Sequence, residues 1–236
     1  MNRSKEAIIL GAFLFLGLTV LGYFISQSPA SFKQYERTVV VKGLSEREVP
    51  ADTVIWPIMF SVANNDVLNL YQDLEADRNQ IVDFLQKSGF AKESISLTEP
   101  VVLDKLAQNY GSQPVSFRYT ARQTVTLYSK DVNGTRMAKI RLADLGKTGV
   151  LITGDEYNSA TEYLFTGLND IKPEMVEEAT QNAREVALKF ARDSNSVLGK
   201  IKSARQGQFS ISDRDKNNPH IKRVRVVSTV EYYLSD

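Results

Sequence analysis

The sequence predicts an α+β fold, mainly antiparallel sheet with helices packed on one face, carried behind one N-terminal transmembrane helix. Three patterns in its 236 residues predict this. Strand-like segments come in pairs separated by turn residues, which favours hairpins over parallel crossovers. Two long segments repeat apolar residues at three- and four-residue steps, as amphipathic helices do. A third run, residues 7–25, is apolar throughout and carries no charge.

That run reads AIILGAFLFLGLTVLGYFI, with Thr19 its one clearly polar residue. At about 1.5 Å per residue it spans roughly 28 Å, close to the hydrocarbon thickness of a bilayer. Arg3 and Lys5 precede it, which places residues 1–6 in the cytoplasm and sends the rest of the chain out. A cleaved signal peptide is the competing reading. Ser28-Pro29-Ala30 offers small residues for cleavage, but the apolar run exceeds the usual core of about 7–15 residues. A buried core helix does not fit, because no helical phase leaves a polar face. Residues 26–36 then read as a linker and residues 37–236 as the folded body.

Within the body, residues 37–46 and 52–63 are β-rich and read as a hairpin about the turn at Glu48–Asp52. Pro57 inside the second strand predicts an edge or a bulge, since proline donates no ladder hydrogen bond. Asn64-Asn65-Asp66 supplies capping chemistry for a helix over residues 67–88. Its stripe is Val67, Leu70, Tyr71, Leu74, Ile81, Phe84 and Leu85, with Asp73 and Asp77 off it, and Gly89 ends it. Residues 94–106 and 116–130 form a second strand pair. In the latter, Phe117, Tyr119, Ala121, Gln123, Val125 and Leu127 share one face.

A helix is expected over residues 131–145, with Val132, Met137, Ile140 and Leu145 inward and Gly146 as its end. Residues 150–167 read as one bent strand or two short ones. Lys172-Pro173-Glu174 opens a long helix, with Met175, Ala179, Ala183, Val186, Phe190 and Val197 as its inner stripe and Leu198-Gly199 as its end. Two final strands, residues 200–212 and 222–234, complete the order ββαββαβαββ.

Composition narrows the function classes. Without cysteine, disulfides, thiolate nucleophiles and Cys-based metal sites are excluded. His220 is the one histidine, so no His-rich metal site is possible. It lies in Asn217-Asn218-Pro219-His220, read as an exposed loop. Beyond the first six residues the basic and acidic residues balance, so no global field draws the body to nucleic acid.

The order of several features resembles one family. Val41-Lys42-Gly43 is followed by Glu-Val-Pro-x-Asp at Glu48–Asp52 and a long helix running to Gly89. Then come the Tyr119-Thr120-Ala121 strand and the Ala- and Arg-rich helix over residues 178–191, running into Val197-Leu198-Gly199-Lys200-Ile201. Together, across about residues 37–235, these resemble the SIMPL-domain proteins, named for a signalling molecule that interacts with a pelle-like kinase. Bacterial members include periplasmic immunogenic and oxidative-stress-defence proteins. The resemblance implies an extracytoplasmic α+β fold that tends to form homo-oligomers, and it carries over no catalytic residues. The chain departs from the family at Ala51, where a basic or polar residue is usual, at Pro57, and in looking anchored rather than cleaved.

Chemistry was weighed residue by residue. Leu145-Gly146-Lys147-Thr148 ends like a phosphate loop, but Arg141 stands where the first glycine belongs, so a basic helix end explains it. Asp155 with Glu156, and Glu46 with Glu48, are carboxylate pairs, the first on opposite strand faces and the second beside a turn. Lys216, Lys222, Arg223 and Arg225 form a basic cluster, read as a charged strand edge that discourages stray pairing, or else as a contact for lipid headgroups or an acidic partner. The sequence therefore predicts no catalytic, cofactor-binding or metal-ligating residue and no cofactor. It predicts a self-associating, non-enzymatic protein of the bacterial inner membrane, single-pass through residues 7–25, with a periplasmic body. A binding module for a small apolar ligand, lipid or partner protein, and a carboxylate-based hydrolase, are the alternatives.

Overall fold

The computed structural model describes residues 11–24, 37–108, 116–154 and 160–235. Residues 11–24 form a helix, α1, whose large apolar side chains stand exposed. Inside it the Thr19 hydroxyl donates to the carbonyl oxygen of Phe15, at 2.6 Å, and lies 3.0 Å from that of Leu16. The apolar run continues into residues 7–10 and 25, outside the described residues, as are 1–6 and the linker over 26–36. Among the described residues no helix is long and apolar enough to cross a membrane, which says nothing of a β-barrel.

The rest is mixed α+β with antiparallel sheet, as predicted. Its strands are β1 (Thr38–Pro50), β2 (Thr53–Asn64), β3 (Ile95–Leu97), β4 (Val101–Asp104), β5 (Tyr119–Ser129), β6 (Glu162–Leu164), β7 (Val197–Gln206), β8 (Ser210–Asp213) and β9 (Ile221–Ser235). Its helices are α2 (Val67–Lys87), α3 (Lys105–Gln108), α4 (Val132–Arg141), α5 (Ala143–Lys147) and α6 (Leu168–Asp193). The chain forms two compact units. One comprises the residues up to Arg47, Ile171–Ser210 and Arg225 onward; the other comprises Glu48–Asp170 and Ile211–Val224.

The second unit is built on a five-stranded sheet in the order β3-β5-β2-β6, with β4 also on β5. Strand alternation sends Val54, Trp56, Ile58 and Phe60 of β2, and Ala121, Val125 and Leu127 of β5, into the core. Trp56 lies opposite Leu127 and Ile58 opposite Val125, so apolar pairs stack across the ladder. Helix α2 covers these strands with Leu70, Leu74, Ile81 and Leu85. Asp66 caps it by accepting the Asn69 N–H at 3.0 Å, and Gly89 leaves it at φ +97°. Val67 and Tyr71, expected inside, are exposed in its first turns. Asp77, expected off the stripe, falls in it three residues after Leu74, and burial pushes its carboxyl up, with Asp73 adding to the rise.

Pro57 sits in an interior strand, not at the sheet edge, and the ladder explains why it is tolerated. The Met59 carbonyl accepts the Thr153 N–H, and the Ser61 N–H donates to Leu151, on the side of β2 away from β5. By alternation residue 57 addresses that same side. There β6 pairs only with Thr53–Ile55, so the missing donor falls in a gap between partners.

The expected hairpin of the first two strands is not formed: β1 lies beside β9, and β2 pairs with β5. The residues between them bond elsewhere. The Ala51 N–H donates to the His220 carbonyl at 2.8 Å, and the Asp52 N–H donates to the Leu164 carbonyl at 2.9 Å. The helix expected over residues 131–145 is broken at Leu142 into α4 and α5, and its phase differs from the expectation. Thr135 and Ala138 face inward, while Met137 (62%) and Ile140 (74%) are exposed.

The first unit holds most of a four-stranded sheet in the order β1-β9-β7, with β8 also on β9. Val41, Gly43 and Ser45 of β1 are buried, as are Ser228, Val230 and Tyr232 of β9. The helix packed there is α6. Its buried residues are Met175, Ala179, Ala183, Ala187 and Ala191, one residue every fourth. Val186 and Phe190, expected inward, are exposed, as is Val197, which belongs to β7. The helix also ends earlier than expected. Asn195 turns the chain at φ 50°, and the Ser196 N–H closes back on the Ala191 carbonyl at 2.8 Å, so Leu198-Gly199 lies in β7.

The alanine stripe exists because the helix comes very close to β1. A Cβ on Gly43 would stand 1.9 Å from the Ala179 carbonyl oxygen and 2.4 Å from the Ala183 nitrogen, both backbone atoms. Hydrogen bonds flank the contact: Asn182 Nδ2 donates to the Leu44 carbonyl at 2.8 Å, and the Ser45 hydroxyl to Glu178 at 2.9 Å.

Two outcomes follow from this packing. Gly43→Ala has no room to relax except by moving the helix, and should destabilise the chain by about 3 kcal/mol or more; an unchanged urea midpoint would contradict the close contact. Asp77→Asn should raise the melting temperature at pH 7. A raised carboxyl pKa in the folded state makes wild type lose stability as pH rises above the ordinary value of 3.8, and asparagine escapes that loss. The difference should vanish below that pH.

Candidate functional site

The expected chemistry is placed as follows. Glu46 and Glu48 stand exposed along β1, and Glu48 faces Arg214 at 3.6 Å. Asp155 and Glu156 lie outside the described residues. Lys147 pairs with Asp144 at 2.8 Å, and the Thr148 hydroxyl donates to the Leu145 carbonyl, which is a helix end and not a phosphate loop. Of the basic cluster, Lys222 is buried and paired with Asp213. Among the described residues no three of His, Asp and Glu gather as a metal site.

His220 is not the exposed loop residue expected. Its turn is organised by Asp215, whose carboxylate accepts the Asn217 and Asn218 N–H groups, each at 2.9 Å, and pairs with Arg214 at 2.9 Å. The imidazole is partly buried and meets the Tyr163 ring edge-on, centroids 6.1 Å apart. Burial first, then the charges of Arg136 and Arg214, hold its pKa below the usual value, against the opposing pull of Asp215. The ring is therefore neutral at ordinary pH. Burial likewise pushes the Tyr163 phenol up, opposed by Arg136.

Asp52 is a heavily engaged carboxylate of the unit. It accepts the Thr166 N–H at 2.7 Å, the Gly167 N–H at 3.0 Å, the Thr53 hydroxyl at 2.9 Å and the Thr166 hydroxyl at 3.1 Å. Burial is the largest single influence on it and acts upward. The hydrogen bonds from Thr166, Thr53 and Gly167 together outweigh burial and hold the carboxyl below its ordinary value. Within the segment Glu48–Asp52, Glu48 thus reaches Arg214, Ala51 reaches His220 and Asp52 reaches the turn before α6. The motif that carries the family resemblance is a structural tie.

A further concentration of polar groups over an apolar floor flanks α4. Asp131 caps this helix by accepting the Gly134 N–H at 2.8 Å, and the small residues Thr135 and Ala138 let it sit against β2. On one flank a groove of about 420 Å³ is lined by Arg136, Met137, Lys139, Ile140 and Tyr163. On the other a groove of about 190 Å³ runs between Lys139 and the gap at Pro57. Lys139 belongs to both. Its ammonium donates to the Thr161 hydroxyl at 2.5 Å, and burial pulls its pKa down. No carboxylate among the described residues pairs with it. Sequence reasoning missed Lys139 because it sits among ordinary surface lysines in the chain; only its neighbours set it apart.

A family model described as SIMPL, protein of unknown function (DUF541), matches residues 39–230. The chain belongs to the SIMPL family. None of the curated proteins compared with it matches. The SIMPL match takes in β1 through most of β9, so both units lie within it, and it includes Asp52, Lys139 and Tyr163.

The Asp52 tie is testable by pH. A depressed carboxyl pKa contributes stability that is present above the unfolded value and lost as pH falls through the folded one. Asp52→Asn should therefore cost about 1.5 kcal/mol at pH 7, the low end for bonds to a charged group because the carboxylate is partly solvated. The deficit should shrink below pH 3.8. Equal denaturant midpoints for the two proteins at pH 7 would refute the tie.

Proposed function

We propose that this SIMPL protein is a non-enzymatic, membrane-anchored scaffold or envelope-stress factor of a bacterial inner membrane, whose periplasmic body associates with copies of itself. The observation that carries the association is the condition of β1. Among the described strands only β9 lies beside it, so one of its edges presents unpaired backbone groups. Val40 (61%) and Leu44 (41%) stand exposed on the face turned away from Val41 and Gly43. The other outer strand, β7, is built differently. It carries Lys200, Lys202 and Arg205 and two register shifts, at Leu198/Ile201 and Ile201/Ser203, devices that blunt an edge against pairing. β1 carries Lys42, Glu46, Arg47 and Glu48, but Lys42 is the one charged residue of its first half, Thr38–Ser45, and that half is the edge suited to a second copy.

The uncharged run over residues 7–25 supports the anchor, together with the satisfied Thr19 hydroxyl and the exposed apolar surface of α1. Arg3 and Lys5 support a cytoplasmic N-terminus. A second reading, a ligand-binding module, is favoured by the grooves flanking α4. The carboxylate-based hydrolase gains no support from Glu46 and Glu48, which are exposed along β1.

Light scattering on the purified full chain in detergent should give a multiple of 26.5 kDa of protein, and Val40→Lys with Leu44→Lys should reduce that multiple. A strictly monomeric wild type at high concentration sinks the association. Because the chain has no native cysteine, Ser212→Cys provides a clean topology probe. A membrane-impermeant maleimide added outside spheroplasts should label it and leave Ser4→Cys unlabelled; the reverse pattern overturns the orientation.

A further inference from the structure

The smaller groove flanking α4 has a chemistry that the scaffold reading leaves unused. Its floor is β2 at Pro57, where the ladder is interrupted: β6 stops at Ile55, and the next partners are Leu151 and Thr153, bonded at Ser61 and Met59. Across the gap stand Lys139, Thr161 and Thr153, with Leu142 and Ile152 as apolar walls. Two features of this group oppose folding when taken alone. The Lys139 ammonium is partly buried and, among the described residues, has a hydroxyl and not a carboxylate as its partner, at 2.5 Å. The Thr153 hydroxyl is buried and has no hydrogen-bond partner. A half-buried cation and an orphaned hydroxyl lining one groove are each costly, and a bound anion would relieve both.

We propose that this groove binds a small monocarboxylic acid, its carboxylate received by Lys139 Nζ and the hydroxyls of Thr153 and Thr161, its short apolar chain lying on Leu142 and Ile152. The inference rests on the binding-module reading and gives it a ligand class. The charge decides the class: one ammonium neutralises one negative charge, whereas a phosphate dianion calls for a second cation or an arginine fork, and neither is among the described residues lining this groove. The size agrees. The groove is small, about 190 Å³, which suits a short chain. The burial that pulls the Lys139 pKa down would be offset by the bound carboxylate, which favours the charged amine.

The test is an NMR titration of the full isotope-labelled chain, in nanodiscs of zwitterionic lipid, with hexanoate, hexanol and inorganic phosphate. Hexanoate should shift the amide signals of Thr153 and Thr161 saturably. Lys139→Met should weaken it at least tenfold, with Lys139→Arg retaining most of the affinity. Thr153→Val should weaken it about tenfold while raising the melting temperature of the ligand-free protein, because it removes a buried hydroxyl without changing the shape; that rise also shows the variant is folded. Phosphate binding as well as hexanoate overturns the monocarboxylate assignment. Hexanol binding as well as hexanoate at the same signals overturns it too, while leaving an apolar binding module standing. No shift with any of the three overturns the ligand assignment and the binding-module reading together. Unchanged hexanoate affinity in both Lys139→Met and Thr153→Val removes these residues from the site and overturns the proposal.

Discussion

No side chain fits between β1 and α6 at Gly43, and the first unit is organised around that constraint. A glycine on the strand and alanines every fourth residue on the helix bring two backbones into direct contact. Backbone approach of this kind is possible only where side chains are absent or a single methyl, so the large apolar residues of α6 are displaced elsewhere. Val186 and Phe190 consequently stand on the open side of the helix. The same logic recurs in the second unit. Thr135 and Ala138 bring α4 onto β2, and Met137 and Ile140 are left outside, beside the larger groove. In both helices small residues make the contact and large ones make the surface.

The second unit depends on a different device. Three stretches distant in the chain meet at the corner between β1 and β2: Glu48–Asp52, the turn at Thr166-Gly167, and the loop ending at His220. Their bonds use the backbone groups that a hairpin turn would have needed. This is why β1 and β2, neighbours in the chain, pair with strands far from each other in sequence. It also gives His220 and the Glu-Val-Pro-x-Asp segment structural roles, which leaves Lys139 and its hydroxyl neighbours as the polar group least explained by folding.

The functional reading is shaped by these placements. Among the described carboxylates, Glu46 and Glu48 stand exposed, Asp52 and Asp215 are tied into turns, and Asp77 is partly buried in α2. Beside them the SIMPL body has an open strand edge on β1 and grooves on either flank of α4. The first is the surface proposed for another copy and the second the proposed site for a small molecule, and they are built from different residues.

Much of this was legible in the chain itself. The cap at Asp66 with the stop at Gly89 and the alternation through β5 rest on interactions between residues close in sequence, and the family pattern rests on the order of such features. Strand pairing, helix phase and the Lys139 groove rest on contacts between distant segments. Hydrophobic periodicity ranks residues by size and assigned Met137, Ile140, Val186 and Phe190 inward, but how closely a helix approaches its sheet is set by the partner surface. Gly43 of β1 decides which face of α6 is buried, and β2 with its gap at Pro57 decides what α4 covers. No property of either helix taken alone encodes that choice, and so the tertiary structure was needed to make it.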